Sequence, residues 1–256
     1  MIKAERKNKI ISLVNEHEIV SFDTIAGQLA VSSATIRRDV DELAAEGLIE
    51  KTRGGIVSLN HGRGMKEEPS LWARGSMNME EKARMAAAAL KYIKEDECIA
   101  LASGTTVLEL AKLLNNELRL SVVTYDLLIG VELSTRQHFD VLMVGGFIKK
   151  NYCSTHGFFA QDMMSRIRVD KAFISADAVD LSQGIMGYTE VDIGTKSKLI
   201  ESANEVFLLC DHSKFNNLAF IKVCDIERVH HIITGKEIDE NTLKTLKNMG
   251  VDCITV

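Results

Sequence analysis

The chain has 256 residues, of which 46% are apolar and 26% charged, with a formal net charge of −5. No apolar run approaches the roughly 18 residues of a membrane span, and the opening Lys3, Glu5 and Arg6 leave no room for a secretory leader, so the expected compartment is the cytoplasm. The acidic balance argues against general polyanion binding, and five widely spaced cysteines (Cys98, Cys153, Cys210, Cys224, Cys253) lack zinc-finger or redox spacing.

Ile10, Leu13, Val14 and His17 mark a first amphipathic helix. Phe22, Ile25, Ala26 and Leu29 mark a second, with Ser21 as its N-cap. A third is expected over residues 33–46, capped by Ser32, with Ile36, Val40 and Leu43 on one face. At about 100° per residue, Arg37 and Arg38 lie roughly 100° and 200° from Ile36 and point outward. Residues 48–58 then read as two short strands around Gly54-Gly55, with Lys51 and Arg53 near the tip. Three short helices followed by a β-wing are the parts of a winged helix-turn-helix that enters DNA. Net charge does not support this, since eight Lys and Arg face nine Asp and Glu over residues 1–60. The arrangement does. Positive groups collect on the third helix, at the wing tip and at the N-terminus (Lys3, Arg6, Lys7, Lys9), where phosphates could meet them.

Residues 59–79 lose periodicity and hold Gly62, Gly64, Gly75 and the only proline, Pro69, so they read as a linker between a DNA-binding domain at 1–58 and a second domain at 80–256. A helix is expected over 79–94. Strands follow at 98–102, 120–124, 141–144, 171–176, 206–210, 230–234 and 253–256, separated mostly by helices at 107–114, 157–168, 192–203 and 240–249. That alternation predicts an α/β domain with an open, largely parallel sheet. His230 and His231 alternate between core and solvent in one strand, and neither they nor His212 argue for a metal.

Ligands of such sheets gather beyond the carboxyl ends of the strands. The residues there are Ser103, Gly104, Thr105 and Thr106, then Tyr125 and Asp126, Gly145 and Gly146, Asp177, and Asp211, His212, Ser213 and Lys214. The first turn opens a helix and offers backbone N–H groups and hydroxyls to an anion. A phosphate there with carboxylates around it describes a sugar phosphate. The turn lacks the Gly-x-Gly-x-x-Gly spacing of dinucleotide sites.

Ser32, Thr35, Ile36, Arg37, Arg38, Asp39, Leu43, Gly47, Leu48 and Gly54-Gly55 together resemble the N-terminal winged helix of the DeoR family of bacterial transcriptional regulators. Arg53 stands where many members carry histidine. The remainder resembles the sensor domain of the same family, related in fold to pentose-phosphate isomerases and aminosugar-phosphate deaminases, through Ser103–Thr106, Val122-Val123-Thr124, Gly145-Gly146, Ser154 with Gly157, Lys171-Ala172-Phe173-Ile174, Lys196, and Asp211 with Ser213-Lys214-Phe215. Glu68-Pro69-Ser70 and Arg74 resemble the family's connector. The resemblance implies an operator-binding repressor, a homodimer or homotetramer, released from double-stranded DNA by a phosphorylated sugar or related effector, with no catalysis and no cofactor. It assigns Ser32, Ser33, Thr35, Arg37, Arg38, Lys51 and Arg53 to DNA. It assigns Ser103, Gly104, Thr105, Thr106, Tyr125, Asp126, Gly145, Gly146, Asp177, Lys196, Asp211 and Lys214 to the effector, with Lys196 one turn after Asp192. Ala102 replaces a common aspartate, and Tyr125-Asp126 a common Asn-Ser, which points to an effector outside the family's commonest set or to a sensor of relaxed affinity. Asp126, Asp177 and Asp211 would also serve an isomerase or deaminase as bases, although relatives with this two-domain layout are sensors.

Overall fold

The computed structural model describes residues 2–17, 19–46, 48–52, 54–57, 71–149 and 152–256. The chain divides into two units, Met1–Met77 and Asn78–Val256. Among the described residues no helix is long and apolar enough to cross a membrane.

In the first unit, α1 (Lys3–His17), α2 (Phe22–Leu29) and α3 (Ser33–Ala45) pack with a small sheet of β1 (Ile19–Ser21), β2 (Glu50–Lys51) and β3 (Gly55–Val57). Ser21 Oγ accepts the Thr24 N–H at 3.1 Å and Ser32 Oγ accepts the Thr35 N–H at 3.2 Å, so both expected caps start their helices. Between them Ala30 takes the left-handed conformation at φ 53°, which lets the Val31 N–H reach the Ala26 carbonyl at 3.1 Å and reverses the chain. Ile36, Val40 and Leu43 are buried with Ile10, Val14, Ile25 and Ile56, each burial stabilising by roughly 1.5–3 kcal/mol.

The sheet order is β1-β3-β2, so the wing carries a strand beyond the expected two. Val20 pairs with Ile56. A Cβ at Gly55 would lie 2.3 Å from the Val20 carbonyl oxygen; the second glycine of the wing is there for this close approach.

The expected linker is corrected at its carboxyl end. Residues 71–76 form α4 (Leu71–Ser76), in which Leu71 and Ala73 are buried and Ala73 joins the winged-helix core. The rest of that segment through Ser70, with Gly62, Gly64, Glu68 and Pro69, lies outside the described residues, as do Gly47 and Arg53.

The second unit runs α5 (Met79–Leu90), β4 (Cys98–Leu101), α6 (Thr105–Leu113), β5 (Leu120–Thr124), α7 (Leu127–Leu133), β6 (Phe139–Met143), β7 (Phe147–Lys149), β8 (Ser154–His156), α8 (Phe158–Ser165), β9 (Val169–Ile174), β10 (Ala178–Asp180), β11 (Gly184–Gly187), α9 (Glu190–Ser202), β12 (Ala203–Leu209), β13 (Ile221–Cys224), β14 (His231–Thr234), α10 (Glu240–Asn248) and β15 (Asp252–Thr255). Seven strands form one sheet in the order β15-β14-β12-β9-β4-β5-β6, and every pair in it is parallel. All seven expected strands are in it, with ends displaced by a few residues.

Side chains alternate between two cores. Ala100, Ala172, Ile174 and Leu208 meet α8, α9 and α10 through Met164, Leu199 and Leu246. Ile99, Leu101, Phe173 and Phe207 meet α5 and α6 through Met85, Ala89 and Leu110. Burial on both faces is what a fully parallel sheet demands.

From β4 the chain builds outward through β5 and β6, then returns to place β9 on the other side of β4. The order therefore reverses between β4 and β9, and ligands of open α/β sheets bind beyond the carboxyl ends of the strands at such a reversal.

Candidate functional site

On the first unit, α3 presents Arg37 and Arg38 to solvent. The two arginines differ. The Arg37 guanidinium lies 4.5 Å from the centre of the Phe22 ring, a cation–π contact that ties it to the start of α2. Ser33 is also tied there, donating to Asp23 Oδ1 at 3.1 Å. Thr35 and Ser32 share a hydroxyl contact at 2.8 Å in the cap.

The N-terminal cations, expected to face phosphate, are paired within the unit. Arg6 bonds the buried Asp39 at 2.5 and 3.2 Å, Lys3 meets Glu42 at 2.6 Å, and Lys7 meets Glu42 and Glu46, each at 2.9 Å. The hydrogen bond from Lys3, with that from Lys7, holds the Glu42 carboxyl down to about 2. Lys9 pairs with Glu5 at 3.1 Å. Lys51, in wing strand β2, is paired with Asp41 of α3. Spacing along one strand or helix shows a charge but not the carboxylate that another element brings to it.

At the β4–β9 reversal, the two strand exits touch. Ser175 Oγ donates to the Ser103 carbonyl at 3.1 Å. Gly104 precedes α6 at φ 151°, and a Cβ there would lie 2.2 Å from Ser175 Oγ, so only glycine admits this junction. Thr105 is half-buried and Thr106 buried at the N-terminus of α6.

Asp126 bonds back to this turn, accepting from Ser103 and the Gly104 N–H, and also caps α7 through Leu128 N at 2.9 Å and Ile129 N at 3.1 Å. Burial pushes its carboxyl above the ordinary value against those hydrogen bonds. Tyr125, expected to offer a phenol to the effector, is instead fully buried in the core, with its ring edge toward His156 at 5.6 Å. Strand alternation turns Asp126 to the turn and Tyr125 into the sheet's packing. Gly145 is open, whereas Gly146 packs against the His156 carbonyl and Ala160.

Across the reversal, Asp177 is half-buried after β9, and Lys196 is buried on α9. The side chain of Asp192, its expected neighbour, lies outside the described residues. Asp211 follows β12, is buried, and accepts from Asn78 Nδ2 at 2.9 Å. Burial opposes its charge, yet Lys214, Ser213, Lys82 and Asn78 hold its carboxyl below the ordinary value.

Sequence reasoning missed Lys82 and Glu81. Lys82 falls at i, i+3, i+4 and i+7 with Met85, Ala86 and Ala89 on the apolar face of α5, and a charge on such a face was the available signal. Glu81 accepts from the His212 N–H at 2.8 Å, His212 Nδ1 at 2.7 Å and the Gly235 N–H at 3.1 Å. Glu81, Asp211 and His212 bring potential ligand atoms within 4.8 Å of one another. Lys82 and Lys214 stand beside Asp211, and the bonds of His212 to Glu81 and of Asn78 to Asp211 tie the β12 exit to the start of α5. Cavities of about 330 and 430 Å³ lie elsewhere, at the amino ends of β5 and β6 and along their face.

The chain matches the DeoR-like helix-turn-helix domain over residues 6–61 and the DeoR C-terminal sensor domain over residues 77–236. It is 30% identical to an uncharacterized HTH-type transcriptional regulator of Haemophilus influenzae, covering 100% of this chain and 98% of the relative. It is 27% identical to a putative aga operon transcriptional repressor of Escherichia coli O157:H7, covering 99% of this chain and 94% of that protein. Among solved structures, ribose 5-phosphate isomerase A of Methanocaldococcus jannaschii is similar at 21% identity and a TM-score of 0.40, the match spanning 54% of this chain and 55% of the isomerase. The helix-turn-helix match falls on the first unit and the sensor match on the parallel-sheet unit, and the chain belongs to the DeoR family of helix-turn-helix transcriptional regulators.

Proposed function

We propose that this regulator represses a carbohydrate-utilisation operon and leaves its operator when a phosphorylated sugar or related metabolite occupies the crevice between β4 and β9. The observation that carries the reading is the Ser103–Ser175 junction, which sets the N-terminus of α6 and its threonines at the point where the sheet order reverses. An anion suits that helix end. Lys196 and Lys214 add positive charge, and Asp177 and Asp211 suit sugar hydroxyls.

The DNA-bound species is a homodimer or homotetramer in the cytoplasm, with α3 of two copies in successive major grooves. Effector binding favours an arrangement whose half-site spacing no longer fits. A 100-fold loss of operator affinity needs about 2.7 kcal/mol of coupling, and linkage requires the DNA to weaken effector binding by the same factor.

Calorimetry with phosphorylated sugars, polyols and aminosugars, followed by operator titrations with and without the tightest binder, tests this. Binding by one of them with a fall in operator affinity is expected. Failure of all to bind, or binding with no change at the operator, would overturn it. The crevice binds without turnover in this reading, so product formation in coupled isomerase and deaminase assays would count against it.

A further inference from the structure

The carboxylates of α3 are occupied by cations that come from other elements. Asp39 is held by Arg6, Glu42 by Lys3 and Lys7, and Glu46 by Lys7, while Asp41 is held by Lys51 of the wing. Arg38 stands three residues before Asp41 and four before Glu42, the two spacings at which a helical arginine normally finds a carboxylate. It has taken neither. Among the described residues of the first unit, Arg38 is the one cation whose side chain makes no ion pair, hydrogen bond or ring contact.

We infer that Lys51 serves DNA recognition through Asp41 rather than through a phosphate, holding that carboxylate so that Arg38 remains available to a base edge. Arg38 is then the specificity-determining arginine of α3. Arg37, fixed on Phe22, serves the sugar-phosphate backbone, and Lys51 is a positioning residue. The assignment rests on α3 being the reading helix. If Lys51 is lost, Asp41 faces Arg38 at i, i+3 and competes with guanine for the same donors.

The two roles of Lys51 leave different signatures. A lysine that neutralises one phosphate contributes about 0.9 to the slope of log affinity against log salt, on every sequence alike. A lysine that shields Arg38 changes the preference for operator over scrambled DNA.

The full-length protein is used to select its tightest duplex from a random-sequence library, and affinities for that duplex and a scrambled one are measured over a salt series. Arg38→Ala is expected to cost about tenfold to a hundredfold on the selected duplex and little on the scrambled one. Lys51→Ala should cost about fivefold on the selected duplex only. Its effect should vanish in the Asp41→Asn background, where no carboxylate remains to capture Arg38. Lys51→Arg, which keeps the pair, should bind as the unsubstituted protein does.

An equal loss from Lys51→Ala with and without Asp41→Asn, accompanied by a salt slope lower by about one on both duplexes, would overturn the inference and make Lys51 a phosphate contact. Selection of no duplex at all would overturn the reading of α3 itself. The exposed positions of Lys51 and Asp41 keep these variants folded, and circular dichroism confirms it for each.

Discussion

Buried charge is far more frequent in the sensor unit than in the winged helix, where Asp39 is the one buried charged residue among those described. In the winged helix most ionic pairs are at the surface and join different elements: Lys3 to Glu42, Lys7 to Glu46, Lys51 to Asp41. In the sensor unit Glu81, Lys82, Asp126 and Asp211 are buried and meet hydrogen bonds or opposite charges at the carboxyl edge of the sheet. Surface pairs stabilise by little, and the inferred role of Lys51 on Asp41 is to leave Arg38 for DNA. Buried ones fix strand exits in place, and removing one partner leaves the other stranded in a poor solvent.

The largest effect expected from that contrast is at Asp211. Asp211→Ala leaves Lys82 and Lys214 without their carboxylate and should destabilise the sensor unit by about 3–5 kcal/mol, read from urea unfolding followed by peptide-resolved hydrogen exchange. Lys3→Ala in the winged helix should leave unfolding within error. If the two substitutions move their units equally, the distinction between surface and buried charge does not describe this molecule.

How far each region could be read in advance follows the same division. The winged helix was legible because its signals are local: Ser32 caps the residues that follow it, and Ile36, Val40 and Leu43 repeat at helical spacing. The seven parallel strands were legible as apolar runs. What escaped depends on partners distant in sequence. β1 is three residues long and pairs with β3 across two helices, β7 and β8 form a short two-stranded ribbon outside the main sheet, and β11 finds β13 beyond an intervening helix and strand. None of these short strands has enough alternation to show itself. At the site, the exit turn after β4 and Asp211 after β12 could be listed from strand ends alone, but that Tyr125 packs inward could not, because a phenol suits either environment. Arg38's isolation was equally hidden, since it depends on cations from α1 and β2.

A middle-sized effect belongs to Gly104. Alanine there must keep φ at 151° and displace Ser175 Oγ from a distance of 2.2 Å, which should cost about 1–3 kcal/mol. It should also separate the β4 and β9 exits, so effector binding falls while operator affinity without effector is unchanged. Loss of effector binding with no fall in stability would mean the glycine matters only for room at the ligand; a fall in operator affinity would mean the two units do not respond separately.

The smallest effect is on acid dependence, and here the two units should move in opposite directions. Glu42 has its folded value lowered from 4.5 to about 2 by Lys3 and Lys7, so its contribution is complete above 4.5 and is lost as pH falls toward 2. Asp126 is the reverse. Burial raises its folded value above 3.8, so the folded state holds the proton more tightly than the unfolded chain and acidification through that range favours folding. Hydrogen exchange between pH 5 and 3 should therefore show α3 losing protection relative to α7, after correction for the intrinsic rate. Glu42→Gln should flatten the first trend and Asp126→Asn the second. Because Asp126 also accepts from Ser103 and Gly104, its protonation withdraws an acceptor from the turn after β4, and effector binding should change with pH in the same range as α7 protection. Two trends that coincide in Asp126→Asn and in the unsubstituted protein would place the pH response outside this carboxyl group.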